Sequence, residues 1–175
     1  MKPLLLCLCL LTCAAAAPAG DDKKKEGKTH PDLSGTWELD RSKSDFGLFG
    51  DRPLSKADST LVIAHRDPEL KITRTLKLNG QEEVKEFTYY TDERGETNPA
   101  TIGAGEVKSK TKWDGEKVAA RSKMSWPGRG GGPGVSMDVT QKWQVSSDGK
   151  TLTNTTVITN QMGANEIKLV YRRAS

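Results

Sequence analysis

The chain has 175 residues, a net charge of +4 and a mean hydropathy of −0.63, which suits one domain with a modest core and a large wet surface. The small surplus of positive charge is mixed with acidic residues, so it favours solubility over nucleic-acid binding. After the N-terminal leader, no stretch is long and apolar enough to cross a membrane.

Residues 1–19 are predicted to be a secretory signal peptide. Lys2 supplies the positive start, and an apolar run follows from Leu4 to Thr12. The small residues of Ala17-Pro18-Ala19 allow cleavage after Ala19. We therefore expect a secreted or periplasmic protein.

Lipidation of Cys13 is the alternative, because Leu10-Leu11-Thr12-Cys13 resembles a lipobox. It would anchor the protein to the envelope. All three cysteines lie in the leader, so the cleaved protein would have no disulfide and no cysteine-based metal site. Residues 20–32 are polar and are predicted to form a flexible tether.

From Leu33 onward, alternating apolar and polar residues predict short antiparallel strands. The first is Gly35–Leu39, and the irregular stretch from Ser42 to Ala57 is expected to form a helical turn or lid. A short strand is also expected near Thr101. The other predicted strands are Thr60–His65, Leu70–Leu78, Glu82–Thr91, a hairpin within Gly105–Met124, Val135–Val145, Leu152–Thr159 and a last strand containing Ile167, Leu169 and Tyr171.

The hairpin has the clearest alternation. Ser109 and Thr111 fall on the sheltered face together with Val107 and Trp113. Because a fully dry core disfavours unpaired hydroxyl groups, this face indicates an internal cavity.

Nine or ten strands in sequence order predict an all-β fold, an antiparallel up-and-down β-barrel formed by residues 33–175. Closure would remove exposed strand edges. A flattened β-sandwich is the structural alternative.

The motif Gly35-Thr36-Trp37 near the start of the predicted domain resembles the G-x-W motif of the calycin superfamily, the lipocalins and the fatty-acid-binding-like proteins. The resemblance implies a barrel that binds a small hydrophobic or amphipathic ligand in its lumen. It also implies that a basic residue near the chain end, Arg172 or Arg173, packs over Trp37.

Arg74 is the most unusual residue among the predicted inward positions. It shares a strand face with Leu70, Ile72, Leu76 and Leu78, and a guanidinium there could bind a carboxylate or phosphate. The alternatives are a bulge in the strand, or a position near the mouth where Arg74 pairs with a carboxylate of its own chain.

Further candidate ligand-binding residues lie on predicted inward positions, where they would form a polar lining with one aromatic wall. They are Ser109, Thr111, Ser122, Gln141 and Trp143. The alternatives are that the polar groups pair with one another or with the backbone, and that Trp143 belongs to the core.

The sequence thus favours an exported monomeric barrel that binds a small amphipathic or anionic ligand. The alternative is an envelope interaction protein whose barrel is filled with side chains. An enzyme has the least support, because no nucleophile–base pair is visible, and we predict no catalytic residue, cofactor, metal ligand or nucleic-acid partner.

Overall fold

The computed structural model describes residues 30–101, 105–126 and 135–174, so the predicted signal peptide and Cys13 lie outside the described residues. The strands are β1 Gly35–Leu39, β2 Asp58–Arg66, β3 Glu69–Leu78, β4 Gln81–Tyr90, β5 Glu96–Pro99, β6 Glu106–Asp114, β7 Lys117–Trp126, β8 Val135–Val145, β9 Thr151–Asn160 and β10 Gly163–Arg173. Between β1 and β2 lie two 3-10 turns, Arg41–Lys43 and Gly47–Phe49, and the short helix α1, Pro53–Lys56.

The ten strands form one antiparallel sheet in the order β4-β3-β2-β1-β10-β9-β8-β7-β6-β5. Each strand pairs with the next one along the chain, except β4 with β5, and β1 also pairs with β10. The two ends of this order, β4 and β5, lie side by side. The predicted all-β meander barrel is therefore confirmed, with a nearly closed ring of strands.

Most predicted strands agree with the observed ones within about two residues, the usual uncertainty of strand ends. The exception is the fifth strand, expected near Thr101, which instead covers Glu96–Pro99. Pro99 lacks an N–H group, so a strand containing it has a weak sequence signal. Helical turns occur in the stretch from Ser42 to Ala57, as predicted.

The ring closes where the first and last strands meet. Trp37 lies opposite Leu61 of β2 on one side and Arg173 of β10 on the other. The guanidinium of Arg173 lies 4.2 Å from the centre of the Trp37 ring and donates a hydrogen bond of 2.9 Å to the carbonyl of Ser34. Arg173 is thus the basic residue that covers the tryptophan.

Gly35 permits this contact. Its φ of 139° lies in a region that side-chain-bearing residues rarely adopt, and a Cβ atom there would overlap the guanidinium of Arg173. The glycine of the G-x-W motif therefore leaves room for the arginine that covers Trp37.

Burial of the inward side chains divides the barrel into two halves. At the closed end the core is fully packed, with Leu33, Trp37, Leu70, Val118 and Leu152 all 0% exposed. At the other end, the mouth, the inward residues retain partial exposure. The half-buried inward residues are Arg74, Leu76, Met137, Val139, Gln141, Thr156, Ile158 and Ile167.

The segments outside the strands lie at the two ends. The turn Gly47–Phe49 contacts β10 and α1 contacts β3, so the stretch between β1 and β2 crosses the mouth end. At the closed end, His30 stacks on Trp113 with ring centres 4.1 Å apart. Within the described ranges, no helix has the length and apolar character needed to span a membrane.

We expect Gly35→Ala to destabilise the fold more than Gly115→Ala, as measured by urea unfolding. Both glycines have positive φ, at 139° and 66°, but Gly115 faces open space. The control should cost about 1–2 kcal/mol for backbone strain alone. Gly35→Ala should exceed it by at least about 1 kcal/mol, because it also displaces Arg173. Equal losses would contradict the role assigned to Gly35.

Candidate functional site

Arg74 points into the barrel from β3. Its register partners are Leu61 on β2 and Lys85 on β4, and the pairing of β3 continues through it without a bulge. Its Nη2 donates a hydrogen bond of 2.7 Å to the carbonyl oxygen of Thr101. The guanidinium carbon lies 5.3 Å from the centre of the Phe87 ring.

The charge of Arg74 is incompletely compensated. Among the described residues, no carboxylate lies within the 4.0 Å of an ion pair, and the buried Nε has no hydrogen-bond partner. Burial lowers the pKa of the guanidinium, with Tyr171 and Glu83 as weaker opposing influences. Burying an unpaired polar group is unfavourable, so this site has unused capacity to bind an anion.

A second cation faces Arg74 across the β3–β4 ladder. The Nζ of Lys85 lies 3.1 Å from a carboxylate oxygen of Glu83 and donates a hydrogen bond of 3.0 Å to the carbonyl of Ala100. Lys85 is therefore engaged by its own chain, unlike the Nε of Arg74.

Aromatic side chains bridge the interior next to Arg74. The rings of Tyr89 and Trp143 lie 4.9 Å apart, and the Tyr89 hydroxyl lies 3.5 Å from Oε1 of Gln141. Burial raises the pKa of Tyr89, and the negative charge of Glu96 adds to the effect. Because β4 and β8 are not neighbours in the sheet, these contacts cross the interior and form a floor.

Glu96 is the hydrogen-bond partner of the two hydroxyl groups on the inner face of β6. Its Oε1 accepts hydrogen bonds from the hydroxyls of Ser109, at 2.6 Å, and Thr111, at 2.7 Å. Its other oxygen lies 3.4 Å from the backbone nitrogen of Tyr90. The two hydroxyls thus find a carboxylate partner within the chain, whereas the alternative considered from the sequence was pairing with one another or with the backbone.

The seam between β4 and β5 is joined by side chains. Oδ1 of Asn98 accepts a 2.7 Å hydrogen bond from the Thr88 N–H, and its Nδ2 donates one of 2.8 Å to the Thr88 carbonyl. The amide thereby imitates a paired backbone residue. Further along the seam, Lys85 and Arg74 bind the carbonyls of Ala100 and Thr101.

The structure groups the six predicted site residues into two sets. Gln141 and Trp143 meet at Tyr89, whose ionisation is also influenced by Arg74. Ser109 and Thr111 share Glu96, and Ser122 lies opposite Ser109 in the β6–β7 ladder. Their role in ligand binding stays a prediction.

Sequence reasoning missed Glu96 and Asn98, and it also missed that Lys85 lies beside Arg74 on the neighbouring strand. Glu96 and Asn98 are two residues apart, as same-face residues of a strand must be. Gly95 and Pro99 flank them, and because glycine and proline are uncommon within strands, the sequence around this spacing does not indicate a strand. No group of three or more histidine, cysteine or acidic side chains within the described residues is arranged to hold a metal ion.

Comparison with solved structures identifies the fold. The chain is similar to the REP1-NXSQ fatty acid transporter, at 15% identity over 82% of this chain and 96% of that one, with a TM-score of 0.53. It is similar to human cRBP IV, at 18% identity over 82% and 99%, with a TM-score of 0.53. It is also similar to the zebrafish ileal bile acid-binding protein complexed with cholic acid, at 14% identity over 81% and 98%, with a TM-score of 0.50.

These similarities confirm the predicted resemblance at the level of fold. The chain has the fold of the fatty-acid-binding, calycin-type β-barrels. No family model matches the sequence, and no curated protein matches it either.

Asn98→Ala is expected to weaken the seam, because it leaves the Thr88 N–H and carbonyl without partners. We expect a loss of about 1–3 kcal/mol in the free energy of unfolding, together with faster amide hydrogen exchange at Thr88. Thr97→Ala is the matched control, since Thr97 is the exposed neighbour on the outer face. Unchanged exchange at Thr88 in the Asn98 variant would contradict this account of the seam.

Proposed function

We propose that the barrel binds a small amphipathic ligand with an anionic head group in its interior. In this proposal Arg74 holds the head group through Nε and the part of its guanidinium not bonded to Thr101. The observation that carries the proposal is an inward guanidinium with a buried, unpartnered Nε and no described carboxylate in ion-pair range.

The surroundings of Arg74 suit the apolar part of such a ligand. Ile72 and Leu76 flank it on β3, and Phe87 lies beneath its guanidinium. Across the interior, Val139 and Ile158 are register partners and half-buried. A charged group among apolar walls is the usual arrangement of a site for amphipathic molecules.

The names of the structural neighbours support the same ligand class. One is called a fatty acid transporter, and another is a bile acid-binding protein complexed with cholic acid. Both kinds of molecule combine an apolar body with an acidic group. Since the sequences are at most 18% identical, the names support the class of ligand and no particular compound.

The partial exposure of the mouth half bears on the alternative, a barrel filled with side chains. Inward residues such as Leu76, Gln141 and Thr156 retain accessible surface, whereas those near Trp37 do not. A uniformly filled interior would bury both halves. The proposal of an interior ligand explains this difference and the filled barrel does not.

We include export in the proposal, on the strength of the leader alone. Lys2, the apolar run to Thr12 and the small residues before Gly20 match a signal peptide. The mass of the mature protein recovered from its source checks this expectation. Cleavage after Ala19 agrees with a secreted or periplasmic protein, a lipid on Cys13 gives the anchored form, and an intact leader contradicts export.

Arg74→Gln tests the site directly. We expect the dissociation constant for a long-chain fatty acid to rise about tenfold or more, because a charge-assisted contact is worth at least the 1.4 kcal/mol of a tenfold change. Binding of the alcohol with the same chain should change little. Isothermal titration calorimetry with both compounds measures the difference.

Lys71→Gln is the matched control, because Lys71 lies on the same strand and points outward, with its side chain 58% exposed. It should leave both affinities unchanged. Thermal unfolding should show that Arg74→Gln folds, since it removes an incompletely partnered buried charge. Equal losses for acid and alcohol, or no binding of either by the wild type, would refute the proposal.

A further inference from the structure

A strongly basic surface lies on the outside of the barrel, away from the interior site. Lys108, Lys110 and Lys112 alternate along the outer face of β6, and Arg121 and Lys123 do so on β7. We call these five residues the basic face. All except the half-buried Lys112 are exposed.

The folded chain neutralises this face only in part, since Asp138 is the register partner of Lys123 and Glu93 lies near Lys112. Lys110 and Arg121 are direct register partners, and like charges in that position destabilise a sheet. Lys112 lies 3.7 Å from Glu93, but the other four cations form no ion pair with any described residue. The basic face therefore keeps an excess of positive charge, which is suited to an external anion.

The basic face lines a cleft. A concavity of about 930 Å³ extends along β5 to β8. Its lining includes all five cations, and also Glu96, Ser109, Ser122 and Val139 of the inner face. Ala119 lies within it, between its register partners Lys112 and Lys142, and is only 1% exposed. A concave site with a small residue at its base accommodates a narrow polymer chain more readily than it accommodates the flat surface of a bilayer.

Other groups in the cleft narrow the chemistry of the partner. The carboxylates of Glu93 and Asp138 and the hydroxyls of Thr97 and Thr140 line it together with the cations. Carboxylates repel a partner that offers only phosphate groups, but they accept hydrogen bonds from hydroxyl groups. The cleft thus suits a partner that carries both anionic groups and hydroxyls.

The spacing of the cations agrees with a linear partner. Residues two apart on a strand lie about 7 Å apart, and neighbouring strands are about 5 Å apart. No described aromatic ring lines the cleft, so it lacks the stacking platform that single-stranded nucleic acid uses. We propose that the basic face binds a linear polysaccharide carrying sulfate or carboxylate groups.

Heparin, a linear sulfated polysaccharide, is the probe for this proposal, and uncharged dextran is its control. The double variant Lys110→Gln/Arg121→Gln should bind heparin about tenfold or more weakly than the wild type, with a shallower dependence of affinity on salt because fewer counterions are released. Dextran should not bind. Binding is measured by surface plasmon resonance at several salt concentrations.

A second double variant, Lys71→Gln/Lys77→Gln, removes the same charge from the outer face of β3, where both lysines pair with glutamates. It should keep heparin affinity within about twofold of the wild type, if attraction depends on the local cluster rather than on net charge. Urea unfolding of both variants confirms that they fold.

Three results would overturn the proposal. One is no binding of heparin by the wild type, and another is equal loss in both double variants. The third is binding of single-stranded DNA, or of vesicles containing phosphatidylglycerol, with the same affinity and the same sensitivity to Lys110→Gln/Arg121→Gln. That result would assign the basic face to phosphate-bearing partners.

Discussion

The pairing of β1 with both β2 and β10 is the constraint on which the interior depends. This five-residue strand joins the last strand to the second and thereby turns a ten-stranded meander into a ring. Its Trp37 is held by a hydrogen bond of 3.1 Å to the Leu33 carbonyl and is covered by Arg173. Without this junction, the inward faces of the other strands would not enclose a common space.

Closure of the ring has a consequence on the opposite side. There Asn98 and Glu96 of β5 bind the backbone of β4. Just beyond β5, the carbonyls of Ala100 and Thr101 accept hydrogen bonds from Lys85 of β4 and Arg74 of β3. Many polar groups of the interior thus form hydrogen bonds within the chain. Glu96, which binds β4 at the seam, also accepts hydrogen bonds from Ser109 and Thr111. The Nε of Arg74 has no such partner, as is also true of Ser59 Oγ, His65 Nε2 and Asn165 Nδ2 among the described residues. Arg74 differs from these because its Nε belongs to a guanidinium that stays charged. An interior built for stability alone would replace such a charge with an apolar side chain.

Much of the fold could be predicted because alternation and turn residues are local signals. The β6–β7 hairpin and the inward position of Arg74 both follow from two-residue periodicity. Interior partners depend on which strands meet across the ring, which no local pattern encodes. Examples are the hydrogen bonds from Ser109 and Thr111 to Glu96, the contact of Gln141 with Tyr89, and the hydrogen bonds between Asn98 and Thr88. The short β5, which ends at Pro99, carries Glu96 and Asn98, the residues that sequence analysis did not place.

A crystal structure of the protein with a fatty acid brominated at the end of its chain tests the central claim most directly. The anomalous signal of bromine locates the apolar end without reference to the protein model. We expect one bromine peak inside the barrel, among apolar side chains of the mouth half, and carboxylate density in contact with the guanidinium of Arg74. Bromine found only on the outer surface, or a carboxylate bound away from Arg74, would contradict the claim that the interior binds an anionic amphipathic ligand.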